Sequence, residues 1–203
     1  MNSIAEHLII AVALMLVIIV SRVFQSYVAL ALGDDTPKLN GSTSFNPINH
    51  IDLMGFVFFV FFKFGWAKPV EINMSKFKNR FWGKIIYSLS HAFICFVIAL
   101  LSTIVYLYIK PTDKFVITIF QYIFSISIIF GIIEMLPFPP FDGAIFISAF
   151  LSREVEYEYF KLSSFTNLII IGLILTGAFK IFLSPIVSTV GKFILNLATM
   201  LVM

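Results

Sequence analysis

LVIIVSRVFQSYVALALGDD, running from Leu16 to Asp35, reads as a membrane helix with a fault in it: Arg22 and Gln25 stand inside an otherwise apolar run. An arginine at mid-membrane costs about 2.5 kcal/mol or more on insertion scales. Either Arg22 has a partner in the protein interior or its long side chain climbs to the interface. The second route is short, because Gly33 lies only about 16 Å further along a helix rising 1.5 Å per residue.

The rest of the chain supports the membrane reading. Of 203 residues, 60% are hydrophobic and 12% charged, and the mean hydropathy is +1.00, which leaves too little polar surface to cover a water-soluble globule. The net charge of +3 is too small and too localised to indicate nucleic acid. The one cysteine, Cys95, excludes an intrachain disulfide, so stability has to come from helix packing in lipid. The start, MNSIAEHLII, lacks the basic region and cleavage site of a signal peptide, and the first segment is expected to remain as a transmembrane helix.

A spanning helix needs about 20 apolar residues. That yardstick predicts five long segments: Ile4 to Leu32, Lys84 to Ile109, Phe115 to Met135, Ser163 to Leu183 and Ile186 to Met203. The run GFVFFVFFKF, Gly55 to Phe64, is too short to span as a helix and is rich in strand-forming residues. It predicts a re-entrant β-hairpin within about 46–73, entering the bilayer against other protein. A second short segment, Gly143 to Leu151, follows the Pro-rich break LPFPPFDG and predicts a half-helix. The expected fold is therefore an all-α polytopic membrane protein of five to six helices with one re-entrant hairpin, and residues 1–203 form a single domain.

Seven of the 14 basic residues (Lys38, Lys63, Lys68, Lys76, Lys78, Arg80 and Lys84) lie between Gly33 and Lys84, while the next connection holds only Lys110 and Lys114. The positive-inside rule places the long segment in the cytoplasm. The N-terminus is then outside, and the C-terminus and the charged segment 152–161 are cytoplasmic. Glu154, Glu156 and Glu158 read as a solvated face.

Three strings in order, NPINHID (Asn46 to Asp52), FGWAKP (Phe64 to Pro69) and LPFPPFDG (Leu136 to Gly143), resemble the small bacterial site-2 proteases, the intramembrane zinc metalloproteases of the M50 class. The resemblance runs from about residue 5 to the end. It implies a bacterial inner-membrane protein with a site-2-protease-like core. It also implies a first-helix HExxH, whose two histidines share one helix face to hold Zn²⁺ and whose glutamate is the general base, with an aspartate of LPxPPxDG as third ligand. Here the HExxH positions read Ser21, Arg22, Val23, Phe24 and Gln25. On the next spanning helix, His91 and Ala92 stand at the family's Gly-Pro and Cys95 near its Asn, while Glu134 replaces another asparagine. Asp142 remains.

Serine and glutamine are poor zinc ligands, and one carboxylate does not hold the metal alone. The expectation is a pseudoprotease with no catalytic residues and no cofactor, its degenerate positions being Ser21, Arg22, Gln25 and Asp142. Arg22 is expected to replace the metal's charge by pairing with Asp142 within hydrogen-bond distance, with Glu134 as second acceptor. What survives loss of the chemistry is the capacity to hold another protein's membrane helix. The leading function is therefore a scaffold for a single-span partner, with Phe58, Phe61 and Trp66 of the hairpin as contact residues. Two alternatives stay open: an active zinc protease with relocated ligands His91, Cys95, Asp142 and Glu134, and an ion- or proton-coupled transport subunit using Arg22, Asp142 and Glu134. His50 and Asp52 fit a capping and hydrogen-bonding turn.

Overall fold

The computed structural model describes residues 3–52, 55 and 67–202. Among them the chain is helical, and five helical stretches are long and apolar enough to cross a membrane. The helices are α1 (Ser3–Leu32), the single turn α2 (Thr36–Leu39), α3 (Arg80–Ile109), α4 (Lys114–Glu134), the short α5 (Asp142–Ser148), α6 (Arg153–Lys161), α7 (Ser163–Leu175) and α8 (Ala178–Val202). This is a multi-pass membrane protein. Its centre is α3, which packs against α1, α4, α5 and α8.

Each break between helices has a local cause. Asn79 caps α3 by accepting a hydrogen bond from Trp82 N, and Asp113 caps α4 by accepting from Phe115 N and Val116 N, so donors without helical partners are satisfied at both starts. Gly33 ends α1 at φ +109°, where a Cβ would stand 3.0 Å from Lys76 O. The next residue, Asp34, is fully buried. Its carboxylate accepts hydrogen bonds from Thr36 N (3.0 Å), Thr36 Oγ1 (2.6 Å) and Asn73 N (2.6 Å). The long connection is thereby fixed to the end of α1.

The ends of the expected hairpin meet: Ile51 and Ala67 form an antiparallel bridge, and Lys68 N donates to His50 O at 2.9 Å. Phe58, Phe61, Trp66 and the rest of the expected re-entrant turn lie outside the described residues. His50 is buried with Nε2 2.6 Å from Ser44 O, and Asp52 Oδ1 accepts from Gly55 N at 2.7 Å.

The last two spans differ from the sequence expectation, which ended one helix at Leu183 and began another at Ile186. The break instead falls at Gly177, φ +74°, a left-handed position that glycine takes without Cβ strain. Pro185 sits inside α8. Proline cannot donate to the carbonyl four residues back, and that carbonyl, Ile181 O, accepts instead from the neighbouring Ser184 Oγ at 3.3 Å. A helix in lipid tolerates proline when a nearby hydroxyl satisfies the freed group.

The acidic segment is also corrected in one place. Glu156 is 6% exposed, because α6 turns it toward the start of α3. There it accepts from Arg80 and from Lys84 Nζ (2.6 Å), while Lys84 also donates to Ser148 O at 3.0 Å. Arg80 and Lys84, one helical turn apart, read in the sequence only as topology markers. In the fold they tie α6 to α3 and α5.

Candidate functional site

The buried face of α1 follows helical periodicity. Ile9, Ala13 and Val17 are succeeded along the same stripe by Ser21, Arg22, Gln25, Ser26 and Ala29, all of them buried. The polar residues of the opening stretch therefore face α3 and α4 rather than lipid. Arg22 is 4% exposed and does not snorkel. Between these site positions, Val23 is buried as well, and Phe24 stacks obliquely on Phe93 of α3 with ring centroids 6.3 Å apart.

Two carboxylates meet Arg22 from the far side of a tight reversal. Glu134 ends α4, Asp142 begins α5, and the chain between them folds back so closely that a Cβ on Gly143 would lie 2.4 Å from the carbonyl oxygens of Met135 and Leu136. Glycine in the LPFPPFDG string is thus required by close approach of backbone. The reversal is closed by Asp142 N donating to Glu134 Oε2 at 3.3 Å.

The resulting network is ordered differently from the sequence expectation. Arg22 Nη2 donates to Glu134 Oε1, making Glu134 the direct partner. Asp142 Oδ2 is 3.8 Å from Arg22 Nη1, beyond hydrogen-bond distance. Gln25 lies between them: its Oε1 accepts from Arg22 Nη1 at 2.9 Å and its Nε2 donates to Asp142 Oδ2 at 2.6 Å. The physical reason is helical spacing. Residues 22 and 25 share a face, so the amide one turn on reaches Asp142 first, and it can accept from a cation and donate to an anion at once.

His91 approaches from α3. The Ser21 hydroxyl lies 3.1 Å from Ile18 O and 3.0 Å from His91 Nε2. Nδ1 faces Asp142 Oδ2 at 3.5 Å and Glu134 Oε1 at 3.8 Å and makes no hydrogen bond among the described residues. Ligand-type atoms of His91, Glu134 and Asp142 all lie within 4.8 Å of one another. Cys95, the fourth residue of the relocated set, is not in that group; it is buried with Ala13, Val17 and Ile123. Sequence reasoning passed over Tyr87, also fully buried, and an aromatic residue in an apolar helix gives no signal to separate it from core packing.

The residues present would offer a metal ion one imidazole nitrogen and two carboxylates, but beside a fixed positive charge. An ion held by Asp142 at the usual bond length of about 2.0–2.2 Å would stand within ~6 Å of Arg22 Nη1. At an effective dielectric of about 20, two positive charges on the ion and one on the guanidinium repel by on the order of 5 kcal/mol at that separation. The Asp142 oxygen facing the centre already accepts from Gln25.

No protein-family model matches the sequence, and no solved structure matches it. Among curated proteins the chain is similar to one from Bacillus subtilis (strain 168) named "Putative zinc metalloprotease YwhC", at 27% identity over 180 residues, 85% of this chain and 82% of that protein. That likeness, spread over most of both chains, supports the site-2-protease-like relationship to which the three sequence strings point.

Proposed function

We propose that the chain is a non-cleaving, metal-free relative of the intramembrane metalloproteases, which holds a membrane helix of another protein without cutting it. The observation that carries this reading is the Arg22–Glu134 ion pair with Gln25 bridging to Asp142. A guanidinium provides the buried positive charge that a metal would otherwise provide, and it is always protonated. Ser21 and Gln25, at the positions of the family's two histidines, are committed to hydrogen bonds. Arg22 itself stands at the position of the family's general base. The test is elemental analysis of protein purified without chelator: zinc well below one per chain is expected, and cleavage of a membrane-helix substrate is not. About one zinc per chain, lost in Asp142→Ala, would overturn the reading.

In the same proposal the protein resides in a bacterial inner membrane with its N-terminus outside and its C-terminus in the cytoplasm. The support is the basic segment between Gly33 and Lys84 and the positive-inside rule. In a Cys95→Ser background, a membrane-impermeant thiol reagent is expected to leave Lys68→Cys unmodified in intact cells and to modify it in lysed ones. Labelling from outside intact cells would reverse the orientation.

A further inference from the structure

Away from the charged centre, an open groove of about 560 Å³ lies between the first turn of α1 and the first half of α4, lined by Glu6, Thr118, Gln121, Tyr122 and Ser125. The Tyr122 hydroxyl donates to Glu6 Oε1 at 2.9 Å. The four α4 residues recur at helical spacing along one face, and Gln121 and Ser125 on it are exposed. At 1.5 Å per residue Ser125 stands about 16 Å along the helix from Lys114. That is roughly half of a 30 Å hydrocarbon core.

An exposed amide and hydroxyl at such depth have no hydrogen-bonding partner in acyl chains, and lipid headgroups sit at the surface. We infer that this groove is the docking seam for the partner's transmembrane helix. The occupant is a helix carrying amide or hydroxyl side chains opposite Gln121 and Ser125 and a basic residue at the end that meets the Glu6 carboxylate. The inference rests on the partner-holding reading above and names where on the molecule, and by what chemistry, the partner is held. The seam runs along α4, whose last residue is Glu134, so a helix seated there lies alongside the charged centre and does not enter it.

The test uses the full chain reconstituted in liposomes with fluorescently labelled synthetic helices: a leucine-based 21-residue span with one glutamine, one serine and a terminal lysine, and an all-leucine span with the same ends. Energy transfer is expected to show about tenfold tighter association of the glutamine-serine helix, the yield of two interhelical hydrogen bonds in a membrane. Gln121→Leu with Ser125→Ala should reduce it to the all-leucine level. Both positions are exposed, so this variant should unfold at the wild-type temperature. A third helix, the glutamine-serine span ending in glutamate in place of lysine, should associate more weakly than the lysine-ended one, and Glu6→Gln should abolish that difference; equal association of the two ends with the wild-type chain overturns the role given to Glu6. Equal association of the two helices, or an unchanged double variant, overturns the inference. So does transfer between two labelled copies of the chain that the double variant abolishes, which assigns the groove to a second copy. A co-purified phospholipid lost in the double variant, with no helix preference, assigns it to a headgroup. Cleavage of the bound helix would sink the non-cleaving function and leave the docking seam standing, whereas absence of both binding and zinc would sink the seam alone.

Discussion

Arg22→Ala is expected to destabilise the protein by about 3–5 kcal/mol, the usual cost of removing one partner from a buried ion pair. Glu134, 8% exposed, would be left with no cation in contact, and Gln25 would lose the donor to its Oε1. Arg22→Met combined with Glu134→Gln should recover most of that loss, because the penalty is dominated by the stranded charge and not by the net worth of the pair. Equilibrium unfolding in mixed micelles reads both. If Arg22→Ala lies within about 1 kcal/mol of wild type, the range measured for exposed pairs, the guanidinium is solvated and the centre is not held by it. If the double variant is no better than the single one, Glu134 is not the partner that matters. The comparison with Asp142→Asn is informative in the same way. Gln25 intervenes between Arg22 and Asp142, so combining Arg22→Met with Asp142→Asn should recover less than combining it with Glu134→Gln.

The second large effect is a gain. Replacing Ser21→His, Arg22→Glu and Gln25→His together should take zinc from near zero to about one per chain, and Asp142→Ala on top should remove it. The geometry for this already exists. The Gln25 amide reaches Asp142 at 2.6 Å, so residues 25 and 142 converge on one point, and residue 21 lies one helical turn before residue 25. Ser21→His with Gln25→His alone should leave zinc low, because the guanidinium remains beside the ligands. Zinc uptake by that two-histidine variant equal to that of the three-residue variant would show that Arg22 does not oppose the metal.

Much of the architecture is legible in the sequence because the bilayer demands it. Runs of apolar residues near the spanning length locate α1, α3 and α4 within a few residues, and caps such as Asp113 mark where they begin. The last break is illegible by the same rules. Proline usually ends helices in water, so Pro185 attracts the boundary, while the actual stop at Gly177 depends on a left-handed backbone and the helix survives Pro185 through one serine hydroxyl. The site is half legible. Position by position, the family resemblance brings Arg22, Gln25, Glu134 and Asp142 to one region, but which carboxylate the guanidinium takes depends on an amide reaching across, a matter of ångströms. Glu156 fails for a related reason. A run of alternating acidic residues looks solvated until the partner face, Arg80 and Lys84 of α3, is known.

The network around Arg22 also bears on how such a chain could change with time. Each single step toward an HExxH metal site passes through a worse protein. Arg22→Glu alone would set three carboxyl groups together with no cation among them. Either histidine replacement alone would remove a hydrogen-bonding group the centre uses, Ser21 for His91 or Gln25 for Asp142, and would still leave the guanidinium in place. Because each intermediate strands a buried charge or a buried polar atom, the path is uphill at every first move. Once such a pair is established inside a membrane core, it acts as a ratchet: sequence drift continues around it, on the lipid faces and in the loops, and a metal site is reached only by several substitutions at once.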